Sequence, residues 1–597
     1  MASPPAARKA RRVPPVPGDR QLRFTDACCR GVPLRGKDDK TVISRSRGCQ
    51  FLLIVCLAAG SFATAHAAPP RTVLHGGTIF TGDPAAPWAQ AIAIEGDHVV
   101  AVGSSADVLA QSGHAMRIDL GGRLVIPGIN DAHVHVVVPE GDYLNTPAFL
   151  PGPGPTLAEV QALLAGAAAA TPDGTWLFVF IGTAIFDDPQ ATRFALDAAS
   201  PRHPVALFAW TGHGIWLNTA AMTALGIAET EPDPFGGHFR RFPGSNVITG
   251  EVHEYAEFAI RRRLLALLPD SHLVAQYRAF AAAAVQLGYT SLQDMAVGLT
   301  HDRALAVLRA AHLPLRVRSI CFPLTPDEPC VLDDDERDGV RGAGVKWIAD
   351  GTPVERLAFV TTPYADRPDQ VGAPDLPDAA LRAQLQAHRN GSARRHQLLF
   401  HGVGDAAIDQ VLDAMDDTGG ARTWQDRRTR VEHGDLLFPD SFARARQLGI
   451  VVVQNPTHFA LAPVFAERFV PEVFVDLEPM QSLLAAGIPL AIGTDGIGAP
   501  QSPFVNLLLA TVHPTHPTEA LGLAQALTAF THGAAYAEFE ERRKGTLGPG
   551  KLADLAVLSQ DIFHVAPPDL PATRSVLTLV GGRVVWDAGV LHATATP

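Results

Sequence analysis

In this 597-residue chain, the first residues whose types and spacing suggest metal binding are two histidines separated by one residue, His133 and His135. They follow Pro127-Gly128 and Asp131 in a short apolar stretch. Side chains two residues apart on a strand point to the same face, so both imidazoles would enter one space. Neutral imidazole binds Zn²⁺ and similar metals. The motif predicts two metal ligands at the end of a strand, with a pair of surface histidines as the plainer alternative.

Lys346 lies inside an apolar segment, although lysine is scarce in this chain. After residue 67 the only other lysines are Lys544 and Lys551. Burial near metal ions lowers the pKa of a lysine, and the neutral amine can take up CO₂ to become a carbamate. A carbamate bridges two metal ions as a carboxylate does. The alternative is an ordinary lysine with a buried stem and a solvated tip.

Three further side chains of metal-binding type, His401, His433 and Asp495, stand where apolar segments end. A lone histidine at a strand end is more often structural, and an aspartate after Gly493-Thr494 can simply cap a helix. Two histidines on successive segments, together with the motifs above, favour a shared ligand set. Asp495 can then bind a metal ion and also accept the proton of an attacking water.

The elements that must position these side chains alternate between short apolar strands and Ala/Leu-rich helices. Such alternation implies a parallel sheet, and this many repeats predicts an α/β fold with a closed (β/α)8 TIM barrel. Barrel enzymes place their sites at the carboxyl ends of the strands. The strand candidates are residues 176–181, 205–210, 289–293, 315–321, 344–348, 397–401, 429–432, 449–454 and 489–493, and the helical windows are 156–170, 273–287, 378–388, 406–415 and 439–448.

Short strands with Gly and Asp turns flank this region on both sides, at residues 73–125 and 555–587. Their pattern predicts a small composite β-sandwich built from both groups. The Pro- and Gly-rich segment 229–250 predicts a long insertion loop that could act as a lid. The expected domains are a leader at residues 1–67, the first sandwich part at 68–126, the barrel at 127–542 and the second sandwich part at 543–597.

The leader has the features of a secretory signal peptide. Arg45 and Arg47 precede an apolar run at residues 51–65, and Ala65-His66-Ala67 supplies a cleavage site. We therefore expect an exported protein, periplasmic or secreted, cut near Ala67 and without a membrane anchor in its mature form. Cys321 and Cys330 are the only cysteines after the leader, and an exported chain leaves both a disulfide and two free thiols open.

Charge narrows the choice of partner. The whole chain has a formal net charge of −12, and residues 1–67 hold 12 Lys and Arg against 4 Asp, so the rest is more acidic than the whole. An acidic protein gains nothing from counterion release on nucleic acid or from anionic lipid. We expect a small-molecule substrate, no nucleic acid and no membrane. Homo-oligomerisation is left open.

The ligand set resembles that of the amidohydrolase superfamily, and within it the amidohydrolase-3 group of YtcJ-like proteins and N-substituted formamide deformylase. The closing segment Gly545-Thr546-Leu547-Gly548-Pro549-Gly550 and the stretches Gly212-His213 and Gln454-Asn455-Pro456 are similar as well. The resemblance implies a role for each residue. By this resemblance, His133 and His135 bind the more buried metal, and His401 and His433 bind the second metal. Lys346, as a carbamate, bridges the two metals. Asp495 binds the first metal and acts as acid and base, and His213 and His458 line the substrate pocket.

The resemblance also implies an activity and a cofactor. We expect a metal-activated water to cleave an amide, N-acyl or N-formyl C–N bond other than a peptide bond. The expected cofactor is a divalent metal, foremost two Zn²⁺, with Mn²⁺ or Fe²⁺ as alternatives. Two other functions stay open: hydrolysis of a cyclic amide, lactone or ester at the same site, and a non-catalytic binding or regulatory role. Release of an amine distinguishes among them.

Overall fold

The structure is a computed structural model that describes residues 71–145 and 153–595. The predicted leader and its cleavage site lie outside the described residues. Within the described ranges, no helix has both the length and the apolar character needed to cross a bilayer.

The two ends of the described chain form one β-sandwich, which confirms the predicted composite domain. Apolar side chains from both sheets, including Ile92, Val125 and Leu577, share one buried core. One sheet contains the strands Arg71–His75, Ala91–Glu95, His98–Gly103, Met116–Asp119 and His592–Ala595, with the helix Ser105–Gln111 beside it. The other contains Thr78–Phe80, Trp88–Ala89, Leu124–Pro127, Leu555–Leu558, Ser575–Val580 and Arg583–Asp587.

Eight parallel strands form the predicted TIM barrel. Each strand pairs with the next, so the carboxyl ends of all eight share one mouth. The strands are β1 (Ile129–His135), β2 (Tyr289–Met295), β3 (Arg316–Cys321), β4 (Val340–Ile348), β5 (Leu398–Gly402), β6 (Arg430–His433), β7 (Val451–Gln454) and β8 (Leu490–Ile492).

The chain after β8 closes the barrel onto β1. Gly496–Ile497 pairs parallel with β1, and the Asp495 amide donates to the His133 carbonyl at 2.8 Å. A Cβ atom on Gly493 would lie 2.6 Å from the backbone nitrogen of His133, so only glycine permits this approach. Closure therefore brings the last ligand candidate against the first two.

Helices cover the outside of the barrel in the order that a (β/α)8 fold requires. The chief ones are Asp270–Val285, His301–Ala311, Asp378–His388, Asp405–Asp417, Pro439–Gln447, Met480–Ala485 and Pro503–Val512. Shorter helical segments are Ala421–Trp424, Ala462–Arg468, Pro471–Phe474, Leu523–Thr528 and Ala534–Ala537, the 3-10 turns Pro456–Leu461, Pro517–Glu519 and Pro567–Ala572, and the π turn Ala529–Gly533.

The crossover from β3 to β4 carries the short strand Asp333–Arg337, antiparallel to β4. In the same crossover, Cys321 and Cys330 form a disulfide with their Cα atoms 5.8 Å apart. The open question of two free thiols is therefore resolved in favour of the bridge.

A separate six-stranded sheet is inserted between β1 and β2, and it corrects the sequence prediction. Residues 176–181 and 205–210 are not barrel strands, because they lie in this sheet. Apolar clusters cover both faces of the sheet, so its strands have the continuous apolar runs of barrel strands. Its strands are Asp142–Tyr143, Leu177–Ile181, Val205–Ala209, Gly214–Leu217, Gly237–Arg241 and Ile248–Glu254, and its helices are Leu157–Ala170, Thr183–Phe186, Arg193–Ala199, Thr219–Ala224 and Tyr255–Ala266.

The segment 229–250 also differs from its prediction as a loop. It contains the strand Gly237–Arg241, which forms a hairpin with Ile248–Glu254.

Candidate metal centre

The barrel mouth brings together all six predicted metal ligands. They come from β1, β4, β5, β6 and the segment that follows β8. The Nζ atom of Lys346 lies 2.8 Å from His133 Nε2, and Asp495 Oδ1 lies 3.3 Å from His135 Nε2. The His401 and His433 rings have centroids 4.4 Å apart, and the His133 and His433 rings 4.9 Å apart.

Strand register explains how distant residues meet. Lys346 on β4 pairs with Leu399, and Ile348 pairs with His401, so the lysine and the next strand's histidine reach the mouth at successive levels. His433 lies opposite Gly402 one strand further on. The parallel ladder therefore delivers one ligand candidate from each successive strand to the same edge.

Two of the six residues have strained backbones. His433 has a φ of 71° and Asp495 a φ of 51°, in the left-handed region that non-glycine residues avoid. Such strain is concentrated at functional sites, where the surrounding structure must hold it in place. At Asp495 the bond from its amide to the His133 carbonyl does so.

Neighbouring polar groups bond three of the four histidines through Nδ1, so Nε2 is the nitrogen that each of these three can offer to a metal ion. His133 Nδ1 donates to Glu432 Oε2 at 2.6 Å, and His135 Nδ1 donates to the Met295 carbonyl at 3.1 Å. His433 Nδ1 donates to Asn455 Oδ1 at 2.9 Å, which assigns a role to the asparagine between Gln454 and Pro456. Partners of this kind fix the tautomer and ring orientation of metal-binding histidines.

The protonation states suit metal binding. Burial lowers the pKa of His133 to about 4 and the pKa values of His401 and His433 well below their usual range, so these imidazoles are neutral. Burial also lowers the pKa of Lys346 to about 8. Burial of Asp495 alone would raise its pKa, but His133 and His135 hold it well below its ordinary value, so this side chain is a carboxylate.

The environment of His401 indicates that these residues fit a cation. Both of its ring nitrogens are buried without a hydrogen-bond partner among the described residues. Leaving such groups unsatisfied costs free energy, and a metal ion would satisfy one of them. His133, His135 and Asp495 place one ligand atom each within 4.8 Å of the others. Imidazole and carboxylate together suit Zn²⁺, Mn²⁺ or Fe²⁺, so the donor set fits a divalent metal.

A cavity of about 360 Å³ opens onto the centre. His213 lines it, with its ring centroid 4.6 Å from that of His401. Its Nδ1 is bonded to Glu254 Oε2 at 2.8 Å, so the ring is held in place. The remaining walls are mainly apolar and include Phe258, Val297, Phe322, Ile348 and Ile497, with Arg261 at one side.

His458 does not line this cavity within the described part of the chain, although the sequence predicts it in the pocket. Its Nε2 lies 3.5 Å from Asp495 Oδ2, and its Nδ1 lies 3.0 Å from Asp435 Oδ2. Burial alone would lower the pKa of His458, but the Asp435 carboxylate raises it well above the usual value. The observed position is behind Asp495, where His458 can orient that carboxylate.

Several carboxylates that support the centre escape the sequence prediction. Glu432 holds His133 and is itself bonded to Arg430 at 2.6 Å. Asp131 accepts from the Thr494 amide at 2.9 Å and so ties β1 to the end of β8. One signal was available for Glu432, because an arginine and a glutamate two residues apart in an apolar strand point to the same buried face.

Comparisons with known proteins agree with this architecture. The profile of a family described as the amidohydrolase family matches residues 117–586. Protein LONG AFTER FAR-RED 3 of Arabidopsis thaliana is 28% identical over 550 residues, which cover 85% of this chain and 90% of that protein. N-substituted formamide deformylase of Arthrobacter pascens is 27% identical over 534 residues, covering 84% of this chain and 95% of the deformylase.

A solved structure shows the same fold. The crystal structure of an uncharacterized metal-dependent hydrolase from Pyrococcus horikoshii matches with a TM-score of 0.64 and 21% identity. The match covers 83% of this chain and 99% of that one.

Proposed function

The chain belongs to the amidohydrolase family, and on that premise we propose that it hydrolyses an amide, N-acyl or N-formyl C–N bond other than a peptide bond. The observation that carries this proposal is the buried imidazole of His401, which has no hydrogen-bond partner in the described part of the chain and lies among five other ligand-type side chains. The similarity to N-substituted formamide deformylase supports the choice of bond.

The six side chains at the mouth would hold divalent metal, foremost two Zn²⁺, with Mn²⁺ or Fe²⁺ as alternatives. When bound, such ions lower the pKa of a coordinated water toward neutrality and polarise a carbonyl oxygen. Lys346 supports a two-metal arrangement because its pKa of about 8 leaves more neutral amine than an ordinary lysine has. That amine can add to CO₂ and lose a proton, and the resulting carbamate offers two oxygens as ligands.

The chain's own groups perform the proton transfers. Asp495 is ionised and lies beside the histidines, so it can accept a proton from the attacking water and pass it to the leaving nitrogen. His213, held by Glu254, faces the cavity where the substrate carbonyl would lie. The apolar walls at Phe258 and Phe322 exclude bulk water, which strengthens electrostatic interactions at the centre.

A screen for released amine, combined with metal analysis, tests the proposal. The purified protein is incubated with N-formyl and N-acyl compounds, cyclic amides, lactones and esters, and products are quantified. We expect amine release by the wild-type protein and release that is slower by about 10²-fold or more in Asp495→Asn. Turnover of lactones or esters alone would shift the assignment to another bond, and a metal-replete protein inactive on every class would support a binding role.

We also propose that the mature protein is exported and begins near Ala68. The disulfide between Cys321 and Cys330 supports this, because such bonds persist in oxidising compartments. Amino-terminal sequencing of protein recovered from cell fractions tests the cleavage site. Recovery of uncleaved protein solely from the cytoplasm would contradict export.

A further inference from the structure

A second group of ligand-type side chains lies behind Asp495. Asp435 follows β6, His458 lies on the 3-10 turn after β7, and Glu478 precedes the helix Met480–Ala485. One ligand atom from each of the three lies within 4.8 Å of the others. Asp435 and Glu478 are each only 1% exposed. We refer to these three residues as the outer cluster.

Glu478 is fixed in place through its backbone and not through its carboxyl group. Its amide donates to the Asp435 carbonyl at 2.9 Å, and its own carbonyl accepts from His513 Nε2 at 2.9 Å. Its φ of 50° is strained for a non-glycine residue. Yet both carboxylate oxygens are buried and accept no hydrogen bond from the described residues. Leaving both oxygens of a buried carboxyl group without partners is costly, and a bound cation would satisfy them.

The surroundings fit a cation better than any group of the protein does. A narrow cleft contains the outer cluster, and its other walls include Phe459, Phe465 and Thr515. The Thr515 hydroxyl oxygen is also buried without a partner among the described residues. A divalent ion that displaced the protons of this cluster would face two carboxylates and a neutral imidazole, and it would balance their two negative charges. A mixed nitrogen and oxygen set favours Zn²⁺ or Mn²⁺ over Ca²⁺ and Mg²⁺, which prefer oxygen alone.

We propose that Asp435, His458 and Glu478 bind an additional divalent transition-metal ion, Zn²⁺ or Mn²⁺. His458 connects this site to the catalytic centre, because its Nδ1 faces Asp435 while its Nε2 lies 3.5 Å from Asp495 Oδ2. A ligated Nδ1 leaves the proton on Nε2, which then donates to Asp495. The ion therefore positions the catalytic carboxylate through His458.

Metal content per chain tests this site. The full-length protein is saturated with Zn²⁺, dialysed, and analysed by mass spectrometry for bound zinc. Glu478→Gln keeps the shape but removes the charge, and we expect it to lose one equivalent of zinc. Glu519→Gln is the matched control, because Glu519 is largely buried and bonds Ser482 rather than the outer cluster, so its zinc content stays at the wild-type value. Equal zinc in Glu478→Gln and the wild type overturns the proposal.

Anomalous diffraction at the zinc edge locates the ion in the wild-type protein, so a variant that fails to fold leaves the test intact. We expect a peak within bonding distance of Asp435, His458 and Glu478. Zinc peaks only beside His133 and His135 would overturn the site. His133→Ala is expected to reduce zinc at the catalytic centre and to keep the peak at the outer cluster, so failure of the hydrolase proposal and failure of this one give different patterns.

Discussion

The two ends of the barrel both bury charge, but they treat it differently. At the amino end, Glu538 is bonded to Arg341 and lies 2.8 Å from Lys544, and Arg316 is bonded to Asp554 at 3.0 Å. Opposite charges there face each other. At the mouth, side chains of metal-binding type converge instead, and both ring nitrogens of His401 have no hydrogen-bond partner among the described residues.

This contrast separates structural from functional polarity in the same barrel. When a buried charge faces an opposite charge, their attraction offsets part of the cost of removing both from water. Neither group is then available to bind a ligand. Ligand atoms without partners at the mouth, such as the ring nitrogens of His401, raise the free energy of the metal-free protein. Binding of a cation compensates for this cost. Burial of polar groups is therefore a poor sign of function, whereas convergence of unsatisfied ligands is a good one.

Removal of metal should give the largest difference between the two ends. We expect a strong chelator to abolish turnover and added Zn²⁺ or Mn²⁺ to restore it, because the mouth depends on bound cations. The ion pairs at the amino end need no metal, so circular dichroism should still show a folded protein. An enzyme that keeps full activity after verified metal removal would contradict the contrast.

Asp495→Asn should lower kcat by about 10²–10⁴-fold, the range typical of a lost general acid–base group. Asparagine keeps the shape but cannot take up the proton of the attacking water. Steady-state kinetics measure the loss, with thermal unfolding as the check that the fold is retained. Wild-type kcat in this variant would exclude Asp495 as the acid–base residue.

Glu538→Gln should lower the stability of the fold and leave catalysis unchanged, the reverse of what we expect for Asp495→Asn. The change leaves Arg341 and Lys544 buried without their shared anion, so we expect a loss of about 3–5 kcal/mol in the free energy of unfolding. Urea denaturation measures it, while kcat per folded molecule stays near the wild-type value. Asp561→Asn, which removes a partly exposed partner of the exposed His564, is the control and should change stability little. If Glu538→Gln lowered kcat without lowering stability, the amino end could not be described as purely structural.

Glu432→Gln should produce the smallest effect at the mouth. The amide no longer holds His133 Nδ1 by a charged bond, and we expect metal affinity to fall about 10–100-fold. Competition with a chromogenic chelator measures the affinity. Unchanged affinity would show that Arg430 and Glu432 belong with the structural ion pairs instead.

The sequence was sufficient to predict the ligand candidates because their chemistry is local. His133 and His135 reveal themselves by strand periodicity, and Lys346 by its rarity in an apolar segment. The fold class followed from strand–helix alternation. The roles of these six side chains remain predictions that metal analysis must test.

Other features depend on long-range contacts that no local pattern reports. Asp435 lies in the crossover after β6 and Glu478 in the crossover after β7, so the sequence around one residue does not indicate that the other is nearby. Residues 176–181 have the apolar pattern of a barrel strand, and only their neighbours in space show that they belong to the inserted sheet. Asn455 lies in a stretch that resembles the family, but no local pattern in the sequence shows that its side chain bonds His433.

The composite sandwich also sets an order of events during synthesis. Strand Leu124–Pro127 pairs with Leu555–Leu558, which leaves the ribosome only after the whole barrel has been made. At translation rates of about 5–20 residues per second, that delay is about 20 to 90 seconds. The early strands spend this interval with open edges, which invite pairing with other nascent chains. A holding chaperone, or passage through the export machinery before folding, would protect them until the partner strand arrives.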